Sequence, residues 1–225
     1  MILVTGASRG LGKAIAHRIS DSGEDVLGIA RNPAGLSFPA VSCDVLDLPG
    51  LKSIAKSIRQ RGQVVTGLIN AAGVASMNLA LTTPAESTQH ILSVNLLGTV
   101  NSIQAFTPLM VREKFGRIVN FSSIAVSLGL AGESVYVASK AGVEGFSRSF
   151  AREVSDFGIT VNCIAPGPIR TDLLRGVTDK QIAKIVSRQI IRREFTPEDV
   201  CDLVELLLDS RSQNLSGHVL TLGGS

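Results

Sequence analysis

At 225 residues, with 44% hydrophobic and 18% charged side chains and a net charge of +3, the chain has the composition of a globular domain with a sizeable core. No uncharged apolar stretch approaches the ~20 residues of a membrane span, and the scattered lysines and arginines form no aromatic-interleaved patch of the kind nucleic acid recognises. Cys43, Cys163 and Cys201 are odd in number and far apart, and His17, His90 and His218 are equally dispersed, so neither a disulfide framework nor a metal site is expected.

The first apolar residues, Ile2, Leu3 and Val4, run straight into Thr5 and Gly6. A signal peptide needs an apolar region of roughly 7–15 residues, so a cytoplasmic location is the expectation. Short β-branched runs follow at 26–30, 40–43, 64–69, 118–121, 159–164 and 219–222. They lack polar alternation, as parallel strands covered on both faces do. Helical periodicity fills the intervals: Leu11, Ile15 and Ile19 over 10–20, then Leu51, Ile54 and Ile58 over 48–59. Further helices are expected over 87–112, 135–155 and 197–208. This alternation predicts a single Rossmann-type doubly wound α/β domain over 1–225, with about seven parallel strands and helices on both faces. Residues 31–39 join the second and third strands and contain Asn32-Pro33, Gly35 and Pro39. A parallel crossover normally takes a dozen residues or more, so a loop or a single helical turn is expected there.

Between the first strand and the first helix stands Thr5-Gly6-Ala7-Ser8-Arg9-Gly10-Leu11-Gly12. Glycines at a strand-to-helix turn let the backbone approach a pyrophosphate, which then rests on exposed N–H groups at the helix N-terminus. The spacing is G-x-x-x-G-x-G rather than G-x-G-x-x-G, and a helix cap with incidental glycines is the bland alternative. At the end of the second strand an acid would hold a ribose 2′-hydroxyl, and a cation would accept a 2′-phosphate. Here Arg31 and Asn32 follow Ala30 with no acid, and Arg9 supplies a second cation, which favours NADP(H).

The only tyrosine stands in Tyr136-Val137-Ala138-Ser139-Lys140. At i and i+4 the phenol and the ammonium share a helix face, and a nearby cation would draw the phenol down from about 10. A phenol so placed can give or take a proton at a carbonyl oxygen. Ser123 lies just past the strand at 118–121.

Together these residues carry a resemblance. From Thr5 to Gly224 the chain resembles the short-chain dehydrogenase/reductase family, through the glycine loop, Cys43-Asp44-Val45, Asn70-Ala71-Ala72-Gly73, Asn95, Ser123, Tyr136-x-x-x-Lys140, Pro166-Gly167 and the closing strand region. The resemblance implies an oxidoreductase in which Tyr136 is the acid/base, Ser123 polarises the substrate oxygen, Lys140 binds the nicotinamide ribose, and Asn95 holds a relay water. It implies cofactor contacts at Gly6, Ser8, Arg9, Gly10, Leu11, Gly12, Arg31, Asn32, Asp44, Val45, Asn70, Ala71, Ala72, Gly73, Pro166, Gly167, Ile169 and Thr171. Within the family the chain looks most like the 3-oxoacyl-carrier-protein reductases of fatty acid biosynthesis. A ketone reduced with NADPH, carried on a carrier-protein or coenzyme A thioester, is the first expectation. Another alcohol or ketone, such as a sugar or secondary metabolite, is the second, and a non-catalytic nucleotide-binding protein the third. A homotetramer is expected, with a dimer as fallback, and Ala125, Val126, Val143, Phe146 and Phe150 are expected at its contacts. The segment 173–194, with Lys180, Lys184, Arg188, Arg192 and Arg193, is expected to form a loosely anchored substrate lid.

Overall fold

A computed structural model describes residues 1–75, 77–174 and 176–224. Arg175, inside the expected lid, therefore lies outside the described residues. Seven parallel strands form one sheet: β1 (Ile2–Thr5), β2 (Val26–Ala30), β3 (Ala40–Ser42), β4 (Gly67–Asn70), β5 (Gly116–Phe121), β6 (Ile159–Ala165) and β7 (Val219–Thr221). Their order is β3-β2-β1-β4-β5-β6-β7. The succession reverses direction between β1 and β4, and such a switch point opens a crevice at the carboxyl ends of the strands.

Two apolar clusters sandwich the sheet. Helices α1 (Gly10–Asp21) and α8 (Pro197–Leu208) cover one face, where Ile15, Ile19, Val200 and Val204 meet Val4, Ile69 and Val119. The other face carries α2 (Leu48–Gln60), α4 (Gly98–Glu113) and α6 (Ser134–Glu153), with Leu51, Ile58, Ile103 and Phe106 against Leu3, Leu68 and Ile118. Phe106 is fully buried, and burial of a side chain of this size contributes about 2–3 kcal/mol. Local signals fix the helix starts. Thr196 and Asp199 form a reciprocal capping box ahead of α8, with Pro197 at its first turn.

The connection 31–39 contains no helix. Phe38 does the covering instead: it is buried, and a Cβ added at Gly28 would come within 2.8 Å of its ring. His17 meets Phe38 edge-on at 5.0 Å between ring centres. One aromatic thus replaces a crossover helix over β2.

The periodic stretch expected over 87–112 is α3 (Ala85–Leu92) and α4, joined by a π-helical turn at Ser93–Leu97. Such turns are rare and cluster at functional sites. Two residues expected at subunit contacts, Ala125 on α5 (Ile124–Leu128) and Val143 on α6, are instead buried inside the chain at 2% and 0% exposure. Phe146 and Phe150 are partly buried and stack on each other, 5.5 Å between centres. Among the described residues no helix is long and apolar enough to cross a membrane, and no cluster of three metal-ligating side chains occurs.

Candidate active site

A cleft of about 600 Å³ runs along the carboxyl ends of β1, β2, β4, β5 and β6. One end is the glycine loop. Gly6 has φ +69°, and a Cβ there would overlap Ala71 and Ala72, so the loop turns tightly against the end of β4. Ser8, Arg9, Gly10 and Leu11 line the cleft, as do Arg31, Asn32, Asp44 and Val45 beside them. Arg9 and Arg31 are both exposed, and neither is in an ion pair among the described residues. Ala71, Ala72 and Gly73 form the floor, and Pro166, Gly167, Ile169 and Thr171 the far wall.

Two residues expected on the cleft lie beneath it. Gly12 faces inward, where any Cβ would collide with the Gly6 carbonyl, so it sets the close approach of α1 to the loop. Asn70 is 2% exposed, and its amide donates to Asn120 Oδ1 at 2.8 Å. Asn120 in turn donates to the Ser147 hydroxyl at 2.8 Å, which also receives the Cys163 thiol at 3.2 Å. This buried polar chain crosses from β4 to α6 and pins that helix against the sheet.

The other end of the cleft holds Ser123, Tyr136 and Lys140. Ser123 caps α5, accepting the Ala125 N–H at 3.1 Å, and its hydroxyl stands beside the Tyr136 phenol on the cleft. One turn further along α6, the Lys140 ammonium donates to the Phe121 carbonyl at 2.8 Å, 5.9 Å from the centre of the tyrosine ring. Burial pushes the lysine down to about 8. It also pushes the Tyr136 phenol up to about 12, with the Ser123 hydroxyl working against that rise and the Glu133 carboxyl adding to it. The expected lowering of Tyr136 by Lys140 is therefore absent here. The ammonium points at a strand carbonyl, and desolvation of the phenolate dominates.

Asn95 sits in the π-helical turn, 1% exposed and off the cleft wall. Its Oδ1 accepts the Val74 N–H at 2.8 Å, and its Nδ2 donates to the Val74 carbonyl and the Ser139 hydroxyl, each at 2.9 Å. It thereby ties the floor segment to the helix bearing Tyr136 and Lys140. A Cβ at Gly73 would lie 3.3 Å from Asn95 Oδ1 and 3.6 Å from Lys140 Nζ, so the floor runs close against both side chains.

Sequence reasoning missed Glu133. It lies half-buried on the cleft, three residues before Tyr136, and burial raises its carboxyl. The available signal was its place at the start of the helix that carries the tyrosine. Glu144 was missed as well; it accepts the Ser122 hydroxyl at 2.5 Å. Leu174, Val177 and Ile185 bring the segment after Thr171 onto the cleft. That segment is anchored more firmly than expected. Arg170 pairs with Glu194 at 2.7 Å and with Asp179 at 2.9 Å. Arg188 donates to the Leu128 carbonyl at 2.9 Å. Arg193 is held by Asp199 at 2.7 Å and lies 4.2 Å from the centre of the Phe195 ring.

A glycine-lined crevice at the switch point, ending in a serine, a tyrosine and a buried lysine, defines a dinucleotide-dependent oxidoreductase. The family model for short chain dehydrogenases matches residues 1–182, and the chain belongs to that family as a nicotinamide-dependent enzyme acting on CH–OH and C=O groups. It is 33% identical to the 3-oxoacyl-[acyl-carrier-protein] reductase FabG of Escherichia coli and 32% identical to that of Vibrio harveyi, each over 99% of this chain and 95% of the relative. Among solved structures it is similar to the aldohexose dehydrogenase of Thermoplasma acidophilum, with a TM-score of 0.89, 28% identity, and 99% and 92% of the two chains covered. It is also similar to an Agrobacterium tumefaciens protein provisionally assigned as a gluconate dehydrogenase, with a TM-score of 0.92, 25% identity, and 100% and 94% covered.

Proposed function

We propose that the protein reduces a 3-oxoacyl thioester with NADPH. The observation that carries this reading is the grouping of Ser123, Tyr136 and the buried Lys140 at the end of a cleft whose other end presents Arg9 and Arg31. The unpaired arginines suit a ribose 2′-phosphate, and the glycine loop suits a pyrophosphate. The dinucleotide supplies the hydride when bound. Tyr136 then gives its proton to the substrate oxygen, which the Ser123 hydroxyl polarises. Lys140 holds the ribose side of the cleft and its positive charge favours a developing phenolate. Asn95 is a positioning residue that keeps Gly73 and Val74 against the Lys140 turn. Similarity to the acyl-carrier-protein reductases along almost the whole chain supports the thioester. Segment 173–194 closes over the reacting carbonyl as a lid, and the protein acts as a homo-oligomer through surface that includes Phe146 and Phe150.

Steady-state NADPH oxidation with acetoacetyl-CoA tests the reading. We expect saturable turnover and a higher kcat/KM for the thioester than for simple ketones or aldoses. No turnover of acetoacetyl-CoA alongside turnover of an aldose would overturn it.

Glu133 favours a second reading. A half-buried carboxyl near the tyrosine can accept hydrogen bonds from neighbouring hydroxyls, which suits a polyol or sugar better than an acyl chain. On this reading Glu133→Ala abolishes sugar oxidation and leaves thioester reduction in place.

A further inference from the structure

At the opposite end of the sheet a second cleft, of about 980 Å³, opens where β5 and β6 begin. The length of β5, roughly 17 Å at ~3.3 Å per residue, separates it from the end that leads into Ser123. Its charged lining is Lys114, Arg117, Arg148 and Arg152, with no carboxylate, and Ser155, Gln213 and Asn214 add polar groups. Lys114, Arg148 and Arg152 are exposed, and none of the three is in an ion pair among the described residues.

Arg117 differs from these three. It is only 3% exposed, on a strand, and no carboxylate among the described residues meets it. Nη1 donates to the Gly116 carbonyl at 2.9 Å and the Gly158 carbonyl at 3.3 Å, and the guanidinium lies 4.3 Å from the centre of the Phe115 ring. Its Nε is buried with no hydrogen-bond partner. A guanidinium stays charged under burial, and a buried charge is normally paired. Cations near the ends of α4 and α6 complement those helix dipoles, which accounts for Lys114 and Arg152 but not for a buried arginine on a strand.

We propose that this cleft binds a diphosphate group, with Arg117 as its buried anchor and Arg148 and Arg152 as its outer clamp. Arginine forks match phosphate oxygens in pairs, and one turn of helix separates Arg148 from Arg152, so both reach the same ligand. The concave shape suits a small molecule rather than a nucleic-acid surface. This site is independent of the redox reading, since none of its residues lies on the cofactor cleft.

The test is equilibrium dialysis of labelled pyrophosphate, and separately of labelled ADP, against protein saturated with NADP⁺ so that the dinucleotide cleft is filled. We expect one saturable site, weakened at least about tenfold in an Arg148→Ala/Arg152→Ala double variant. NADPH turnover in that variant stays at the wild-type level, which shows that it folds. ADP binding tighter than pyrophosphate assigns an organic diphosphate and equal binding an inorganic one; both support the site. Absence of saturable binding, an unchanged affinity in the double variant, or loss of binding in Arg31→Asp instead would overturn the proposal.

Discussion

Strand β5 has a buried cation near each of its ends. At the carboxyl end Lys140 reaches in from α6 and donates to the Phe121 carbonyl; at the amino end Arg117 donates to the Gly116 and Gly158 carbonyls. Both side chains are less than a tenth exposed, and neither has a carboxylate partner among the described residues. Their chemistry under burial differs. A lysine can shed its proton, and burial brings Lys140 down to about 8. An arginine cannot, so Arg117 remains a fixed charge. The same physical setting therefore makes one end able to change its charge with pH and the other fit only for holding an anion.

The sharpest way to break that contrast is at the proton donor. Tyr136→Phe deletes one hydroxyl at the tunable end, and reduction should fall by about 10²–10⁴-fold in kcat. NADPH affinity, followed by fluorescence titration, should stay near that of the wild type. Activity within a few-fold of wild type would remove Tyr136 from the acid/base role.

Lys140 gives the next largest effect, and it concerns stability. Its value is 10.5 when exposed and about 8 when folded. Between those values the unfolded chain holds a proton that the folded chain has shed, so stability rises with pH across that window. Below about 8 the full penalty of burying the ammonium is present, roughly 3 kcal/mol at ~1.4 kcal/mol per tenfold. Lys140→Met removes the charge along with one hydrogen bond to Phe121. The variant should be inactive yet more stable than wild type near neutral pH, with the gap narrowing toward about pH 10. Urea unfolding of both proteins across this range measures it. A variant less stable at every pH would mean that the hydrogen bond outweighs the buried charge.

Most of the front of the cleft was legible in the sequence because main-chain geometry dictates residue type there. Gly6 needs a positive φ and Gly12 a close approach, so the loop is written in glycines. Tyr136 and Lys140 are one helical turn apart, which spacing reveals. The π-helical turn at Ser93–Leu97 was not legible, since its apolar period continues through both helices it joins. Nor was the Asn70–Asn120–Ser147 chain, whose members come from β4, β5 and α6 and meet only across the sheet. The short 31–39 connection was expected to be a loop or a single helical turn and is a loop, but the plug by Phe38 depends on packing against Gly28 and His17. The anchors of 173–194 escaped notice for the same reason: Arg170, Asp179 and Glu194 are scattered in sequence and meet only in the fold.

Cofactor choice sharpens the comparison at an intermediate scale. Arg31 is exposed on the cleft, so a change there should act on the ligand rather than on folding. Arg31→Asp would face a 2′-phosphate with a carboxylate and offer a ribose hydroxyl an acceptor. The ratio of kcat/KM for NADPH to that for NADH should fall by about tenfold or more. A wild-type preference for NADH would contradict the assignment of the two arginines.

The smallest effect is expected where the cleft meets segment 173–194. Arg170 lies between Ile169 and Thr171, both on the cleft wall, and its guanidinium grips Asp179 at the start of α7 (Asp179–Val186) and Glu194 near the segment's end. These ion pairs are solvent-exposed, so each contributes at most about 1 kcal/mol and global stability should barely change on Arg170→Met. Their effect is local, because they tie both ends of the segment to one residue of the site wall. Losing them should loosen the segment without moving Tyr136, Ser123 or Lys140. Amide exchange over 176–194 should therefore quicken, and KM for the ketone should rise by about threefold while kcat changes less. Wild-type exchange over this segment should slow when NADP⁺ and substrate are both present. Equal protection in the free and loaded states, together with an unaltered KM in Arg170→Met, would make the segment a fixed wall and remove the lid from the proposed function.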